Sequence, residues 1–121
     1  MLSIQNLEVV YQDVILVLRG ISFEIPKGKI VALLGSNGSG KTTVIRSITG
    51  LLDIQNGDIT KGSITLDGED ITNLNPSKIV EKGIAQVMEG RRIFSELTVA
   101  ENLRLGGHTN SVNIQNNIDR V

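Results

Sequence analysis

The stretch GSNGSGKTT, Gly35 to Thr43, constrains this chain more than any other. It has the form G-x-x-x-x-G-K-[ST]. Gly35, Gly38 and Gly40 let the backbone turn tightly enough for several N–H groups to converge on a small volume. The run before it, IVALL (Ile30 to Leu34), has no polar residue. A strand apolar on both faces belongs in the middle of a covered, mostly parallel sheet. After the loop, TTVIRSITGLL places apolar side chains at Val44, Ile45, Ile48, Leu51 and Leu52, a helical spacing. Strand, glycine-rich loop and helix in that order suit phosphate, because the opening helix adds orphan N–H groups and the positive end of its dipole. Lys41 would reach the β- and γ-phosphates and the Thr42 hydroxyl would ligate Mg²⁺, with Ser36, Asn37, Ser39 and Thr43 completing the phosphate-binding loop.

The rest of the chain reads as strands and short helices. Leu7, Val9 and Tyr11 alternate as in a strand. VILVL (Val14 to Leu18) and ISFEI (Ile21 to Ile25) read as two more, linked at Arg19-Gly20 and ended by Pro26-Lys27-Gly28. Their short links predict antiparallel pairing. Asn56-Gly57 and Lys61-Gly62 are turn signals, and SITLDGEDI predicts a hairpin whose Asp67-Gly68 favours a type I′ turn. Asn75-Pro76 is an N-cap and first-turn pair for a helix through Lys82, ended by Gly83. IAQVM (Ile84 to Met88) reads as a further strand, and EGRRIF as a polar loop carrying one large apolar side chain. Thr98-x-x-Glu101 is a capping box that starts a helix over VAENLRL. In the Asn-rich tail, Ile114 and Ile118 are spaced to share a helix face.

Composition narrows the partners. A chain of 121 residues suffices for one small domain. The net charge of -1 gives no bulk attraction to nucleic acid or anionic lipid. Tyr11, Phe23 and Phe94 are the only aromatic residues, too few for a base-stacking platform. The absence of cysteine excludes disulfides and thiolate metal sites and fits a reducing compartment. The opening MLSIQNLEVV shows no signal-peptide pattern, and no apolar run approaches the ~18 residues of a membrane span, so a membrane role is expected through a partner.

Longer stretches carry a resemblance. LEVVYQDVILVLRGISFEIPKGKIVALLGSNGSGKTTVIRSITGLL resembles the opening of an ABC-transporter ATPase subunit, and KGSITLDGEDIT falls where that family has such a segment. GIAQVMEGRRIFSELTVAENLRLG is similar to the subgroup serving branched-chain amino-acid importers. The resemblance covers nearly the whole chain and weakens after Gly106. It implies an α/β fold, a P-loop NTPase with a mixed sheet and an antiparallel β subdomain, truncated. Residues 1–88 would form the N-terminal part of the ATP-binding core with the antiparallel β subdomain. Residues 89–121 would form the glutamine-loop region and the start of a helical subdomain, incomplete. ATP and Mg²⁺ are the implied ligands.

The resemblance also assigns roles outside the loop. Tyr11 matches the aromatic residue that stacks on adenine, a role its flat apolar face suits; the plain alternative is a strand-end tyrosine packed on the core. The glutamine-loop position falls at Glu89, whose carboxylate would join Thr42 at Mg²⁺ or accept from a water, since hard cations favour oxygen. Arg91, Arg92 and Phe94 would lie in the segment facing the membrane partner, the alternative being a solvated basic loop over a buried Phe94. His108, the one histidine, reads as an exposed loop residue.

The family's acidic strand, an apolar run ending in Asp and followed by a catalytic Glu, is not found after the phosphate loop. ITLD (Ile64 to Asp67) is nearest, but Thr65 interrupts it. The signature loop and switch histidine are missing too, so no catalytic residue is assigned. The chain reads as the N-terminal half of a transport ATPase domain that binds ATP without turning it over alone. In a complete assembly the resemblance implies a second ATP-binding subunit sandwiching ATP, transmembrane permease subunits, and a peripheral place on the cytoplasmic face of the inner (plasma) membrane, with no nucleic-acid partner. The alternatives are a non-enzymatic truncated half-domain and an ABC ATPase of another transport or non-transport system.

Overall fold

Strand β1 (Leu2–Tyr11) organises the N-terminal part of the chain. In the computed structural model, which describes all residues except Asn37, Arg91 and Thr109, β1 pairs on one side with β2 (Ile15–Ile25) and on the other with β3 (Gly57–Leu66). A short β4 (Glu69–Asp70) completes an antiparallel sheet of order β2-β1-β3-β4. Asp67 and Gly68 both have positive φ, 49° and 82°, so the β3–β4 connection has the type I′ geometry that Asp-Gly predicts.

Ile4 and Leu7 are both buried although an odd spacing should place them on opposite faces of a strand. A bulge resolves this: the register shifts between them, and Asn6 adopts φ 50°. The same kind of shift lies beside Gly20 in β2. The expected strands at Val14–Leu18 and Ile21–Ile25 are therefore one bulged strand, and Arg19-Gly20 is not a link between two. Lys61-Gly62 likewise lies inside β3 and is not a turn.

One face of the sheet, carrying Ile4, Leu7, Val9, Leu18 and Ile64, packs with Val44 of helix α1 (Lys41–Thr49), Leu52 and Ile71. A 3₁₀ turn at Asp53–Gln55 leads back into β3. Helix α2 (Pro76–Glu81) starts at the predicted cap, where Asn75 Oδ1 accepts from Ser77 N at 2.9 Å.

Two expected strands do not form. Ile30–Leu34 and Ile84–Met88 have no ladder partner among the described residues, and a strand exists only by pairing. The burial expected of IVALL is absent as well: Ile30 is 99% exposed and Leu34 87%, and Val87 in the later run is 100% exposed.

The chain divides into two compact units, Met1–Ile84 and Ala85–Val121. In the second, helix α3 (Val99–Gly106) begins with the predicted capping box: Thr98 Oγ1 accepts from Glu101 N and Glu101 Oε1 accepts from Thr98 N, both at 3.1 Å. The Thr98 backbone N–H, and after it the Thr98 side chain, hold the Glu101 carboxyl below the usual glutamate range. Helix α4 (Ile114–Arg120) does bring Ile114 and Ile118 to one face, where they line a small apolar cavity with Leu103 of α3. No helix among the described residues is long and apolar enough to cross a membrane.

Candidate functional site

The loop from Gly35 delivers the chain into α1 through Gly40, whose φ is 101°. A Cβ at Gly40 would lie 2.8 Å from Leu18 Cδ2 in the core, so backbone conformation and space both require glycine. Val44 is the first helical residue to donate back, to Gly40 O at 3.0 Å. The N–H groups of Lys41, Thr42 and Thr43 therefore lack intrahelical acceptors. Gly40 offers no side-chain cap and the first turn holds no acidic residue. The positive end of the helix is left uncompensated and ready for an anion.

Around that end the loop is tied to itself. Ser39 N donates to Ser36 O at 3.1 Å, and Lys41 Nζ donates to Gly35 O. The Lys41 ammonium is thus held over the mouth of the loop. Thr42 is exposed at the start of the helix, while Thr43 is buried. Asn37, expected in the loop, lies outside the described residues.

A cavity of about 350 Å³ opens beside this helix end, lined by Gly38, Gly40 and Lys41 to Thr43 on one side and by Tyr11, Val17, Arg46 and Gln55 on the other. Tyr11, distant in sequence, is brought here because β1 ends where α1 begins. Its Oη lies 3.0 Å from Thr43 Oγ1. Sequence reasoning missed Val17, Arg46 and Gln55. Val17 had only the signal of lying in an apolar run beside core residue Leu18, and it packs against the same core. Arg46 and Gln55 carried none.

In the second unit Glu89 and Arg92 are exposed, and Glu89 O accepts from Arg92 Nε at 3.1 Å. Phe94 is 58% exposed and so is not the buried residue of the plain-loop alternative. Arg91 lies outside the described residues. Asn102, which sequence reasoning overlooked, fastens this loop: its Oδ1 accepts from Phe94 N at 2.9 Å, and its Nδ2 donates to Phe94 O at 3.1 Å and Thr98 O at 2.9 Å. The only hint was an amide side chain one position after the capping glutamate. His108 is exposed, as expected, with Nδ1 2.9 Å from Leu105 O. No group of three or more His, Cys, Asp or Glu among the described residues could hold a metal by itself, so a magnesium here would draw most of its oxygens from water or a bound ligand.

An uncapped helix after a glycine-framed lysine loop, set against an antiparallel sheet, is part of the fold of a P-loop ATPase. Residues 18–121 match the ABC transporter family, and the chain belongs to it. It is 42% identical over 112 residues to the high-affinity branched-chain amino acid transport ATP-binding protein BraG of Pseudomonas aeruginosa, covering 92% of this chain and 46% of BraG. BraF of the same organism is 36% identical over 94 residues, covering 78% of this chain and 35% of BraF. Among solved structures, the ATP-binding cassette MJ1267 of an ABC transporter matches with a TM-score of 0.77 at 29% identity, covering all of this chain and 46% of that one. For cbiO1 from Clostridium perfringens, part of the ABC transporter complex cbiONQ, the TM-score is 0.80 at 26% identity, covering 98% of this chain and 47% of that one. The chain spans about half the length of the relatives it matches.

Proposed function

We propose that this chain binds ATP through residues 35–43, as the phosphate-holding part of an ABC importer ATPase serving branched-chain amino acids. The observation that carries the reading is the open helix end: three orphan N–H groups, an uncompensated dipole and the Lys41 ammonium converge beside a cavity walled by an aromatic ring. The backbone of Gly35, Ser36, Gly38, Ser39 and Gly40 wraps the phosphates, with N–H groups of Lys41, Thr42 and Thr43 aimed at them. Lys41 exchanges its bond to Gly35 O for phosphate oxygens. Tyr11 faces the base. The exposed Thr42 hydroxyl would be a ligand of Mg²⁺, which when bound supplies positive charge to the β- and γ-phosphates.

Arg91, Arg92 and Phe94 form the contact for a transmembrane permease subunit, which would place the protein peripherally on the cytoplasmic face of the membrane. An exposed aromatic flanked by arginines suits an interface anchor. The branched-chain substrate rests on the likeness to BraG and BraF. In a whole transporter a second ATP-binding subunit would face the first across the nucleotide.

For residues 1–121 tested by themselves, in which Ile30–Leu34 is exposed and has no ladder partner among the described residues, the expected outcome is binding without turnover. Calorimetry with Mg²⁺-ATP tests the binding. Lys41→Ala removes a charge-assisted contact and should cost roughly 1.5–3 kcal/mol, about ten- to a hundredfold in Kd. Equal affinity in the two proteins would refute the site. Phosphate release dependent on Lys41 at ~1 s⁻¹ or faster would refute the binding-only reading.

A further inference from the structure

The ring of Tyr11 is fixed from three directions. Its backbone ends β1, opposite Ile15 on one side and Gly57 on the other. Its edge lies against Gly57, where an added Cβ would come 2.8 Å from Cε1 and 3.1 Å from Cδ1. Its hydroxyl meets Thr43 Oγ1 at 3.0 Å, and either oxygen can donate. Thr43 is 6% exposed and sits in the first turn of α1, the turn whose N–H groups point at the phosphate position.

We infer that Thr43 is a positioning residue: its hydroxyl tethers the Tyr11 ring to the phosphate-binding helix and so sets the wall against which the base lies. The inference rests on the ATP reading above. The side chain of Thr43 is engaged with Tyr11, and its backbone N–H is left for phosphate. One hydrogen bond then links the two halves of the cavity, the base side on β1 and the phosphate side on α1. Gly57 limits how far the ring can lean back, and the tether limits how far it can swing forward into the cavity. Without the tether the ring keeps its aromatic face but loses its fixed pose, so the loss should fall on the base and spare the phosphates.

The test uses the full chain and four variants: Tyr11→Phe, Thr43→Val, Thr43→Ser, and Tyr11→Phe combined with Thr43→Val. Calorimetry with Mg²⁺ compares ATP with inorganic triphosphate, which has no base. Tyr11→Phe and Thr43→Val are each expected to weaken ATP about three- to tenfold while triphosphate stays within about twofold. The double variant should lose no more than either single one, because both remove the same bond. Thr43→Ser keeps the hydroxyl and should retain ATP affinity. Tighter ATP binding by Tyr11→Phe would overturn the inference, showing that the bond withholds the ring. Additive losses, or a parallel fall in triphosphate affinity, would overturn it as well. If the unaltered chain binds triphosphate and ATP equally, the tether idea fails while phosphate binding stands. If it binds neither, both fall.

Discussion

Replacing Gly40 by alanine should separate two reasons for a glycine at the mouth of the phosphate loop. The first is backbone conformation: at φ 101° an L side chain is strained, by about 1–2 kcal/mol. The second is space. The new Cβ would stand 2.8 Å from Leu18 Cδ2, so the Leu18 side chain, a core residue at 1% exposure, would have to shift within the core. Forcing a methyl into a filled core costs about 1–3 kcal/mol. Together the two give about 2–5 kcal/mol for Gly40→Ala. Gly28 supplies the control, since it has φ 74° and nothing within 4 Å of an added Cβ. Gly28→Ala should show the conformational part alone, about 1–2 kcal/mol. The assay is urea unfolding of the full chain followed by circular dichroism, with triphosphate titration of each folded variant. Gly40→Ala should lose both stability and phosphate affinity; Gly28→Ala should lose only a little stability. Equal destabilisation by the two variants would refute the packing argument, and a stable Gly40→Ala that binds phosphate normally would refute the account of the loop.

Two further outcomes follow from the second unit. Asn102→Ala removes the amide that binds Phe94 N, Phe94 O and Thr98 O, and should lower hydrogen-exchange protection of the Phe94 amide roughly tenfold while α3 survives. Glu101 has its pKa lowered by its bonds to Thr98, so its contribution is fully present above the ordinary glutamate value of about 4.3 and is lost as pH falls through the lower folded value. Helicity of α3, followed by exchange or NMR on an acid titration, should therefore fray below that range, and Glu101→Gln should weaken the dependence.

Local chemistry was the most legible part of the chain. Asn75-Pro76, Thr98 with Glu101, and Asp67-Gly68 each named a cap or turn that forms as read, because such motifs are satisfied by neighbours within a few residues. The loop into α1 was legible for the same reason. What failed depended on distant partners. An apolar run such as IVALL announces burial, but a strand needs a neighbour to bond with, and the described residues offer none. The β2 error had another cause: Gly20 signals a turn and a bulge equally well in sequence, and only pairing with β1 decides between them. At the site, Tyr11 entered through family resemblance. Its bond to Thr43, and the presence of Arg46 and Gln55 in the same cavity, depend on how β1, α1 and the 3₁₀ turn come together.

The position of β1 between β2 and β3 also sets an order of events in folding. Tyr11 pairs with Ile15 and, on its other side, with Gly57; Leu2 pairs with Ile25 and with Leu66. The first of these contacts are local and can form as soon as β2 exists. The second must wait for the whole segment that contains the phosphate loop, and closing so long a segment is entropically slow. During synthesis the interval between the two is on the order of a few seconds. Through it the β1–β2 hairpin stands alone, a marginal structure with Ile4, Leu7 and Val9 facing water until Val44 and Ile64 arrive to cover them. Chaperone capture and mispairing are therefore expected to concentrate in that window, which closes when β3 docks and fixes both ends of the phosphate-loop segment to one strand.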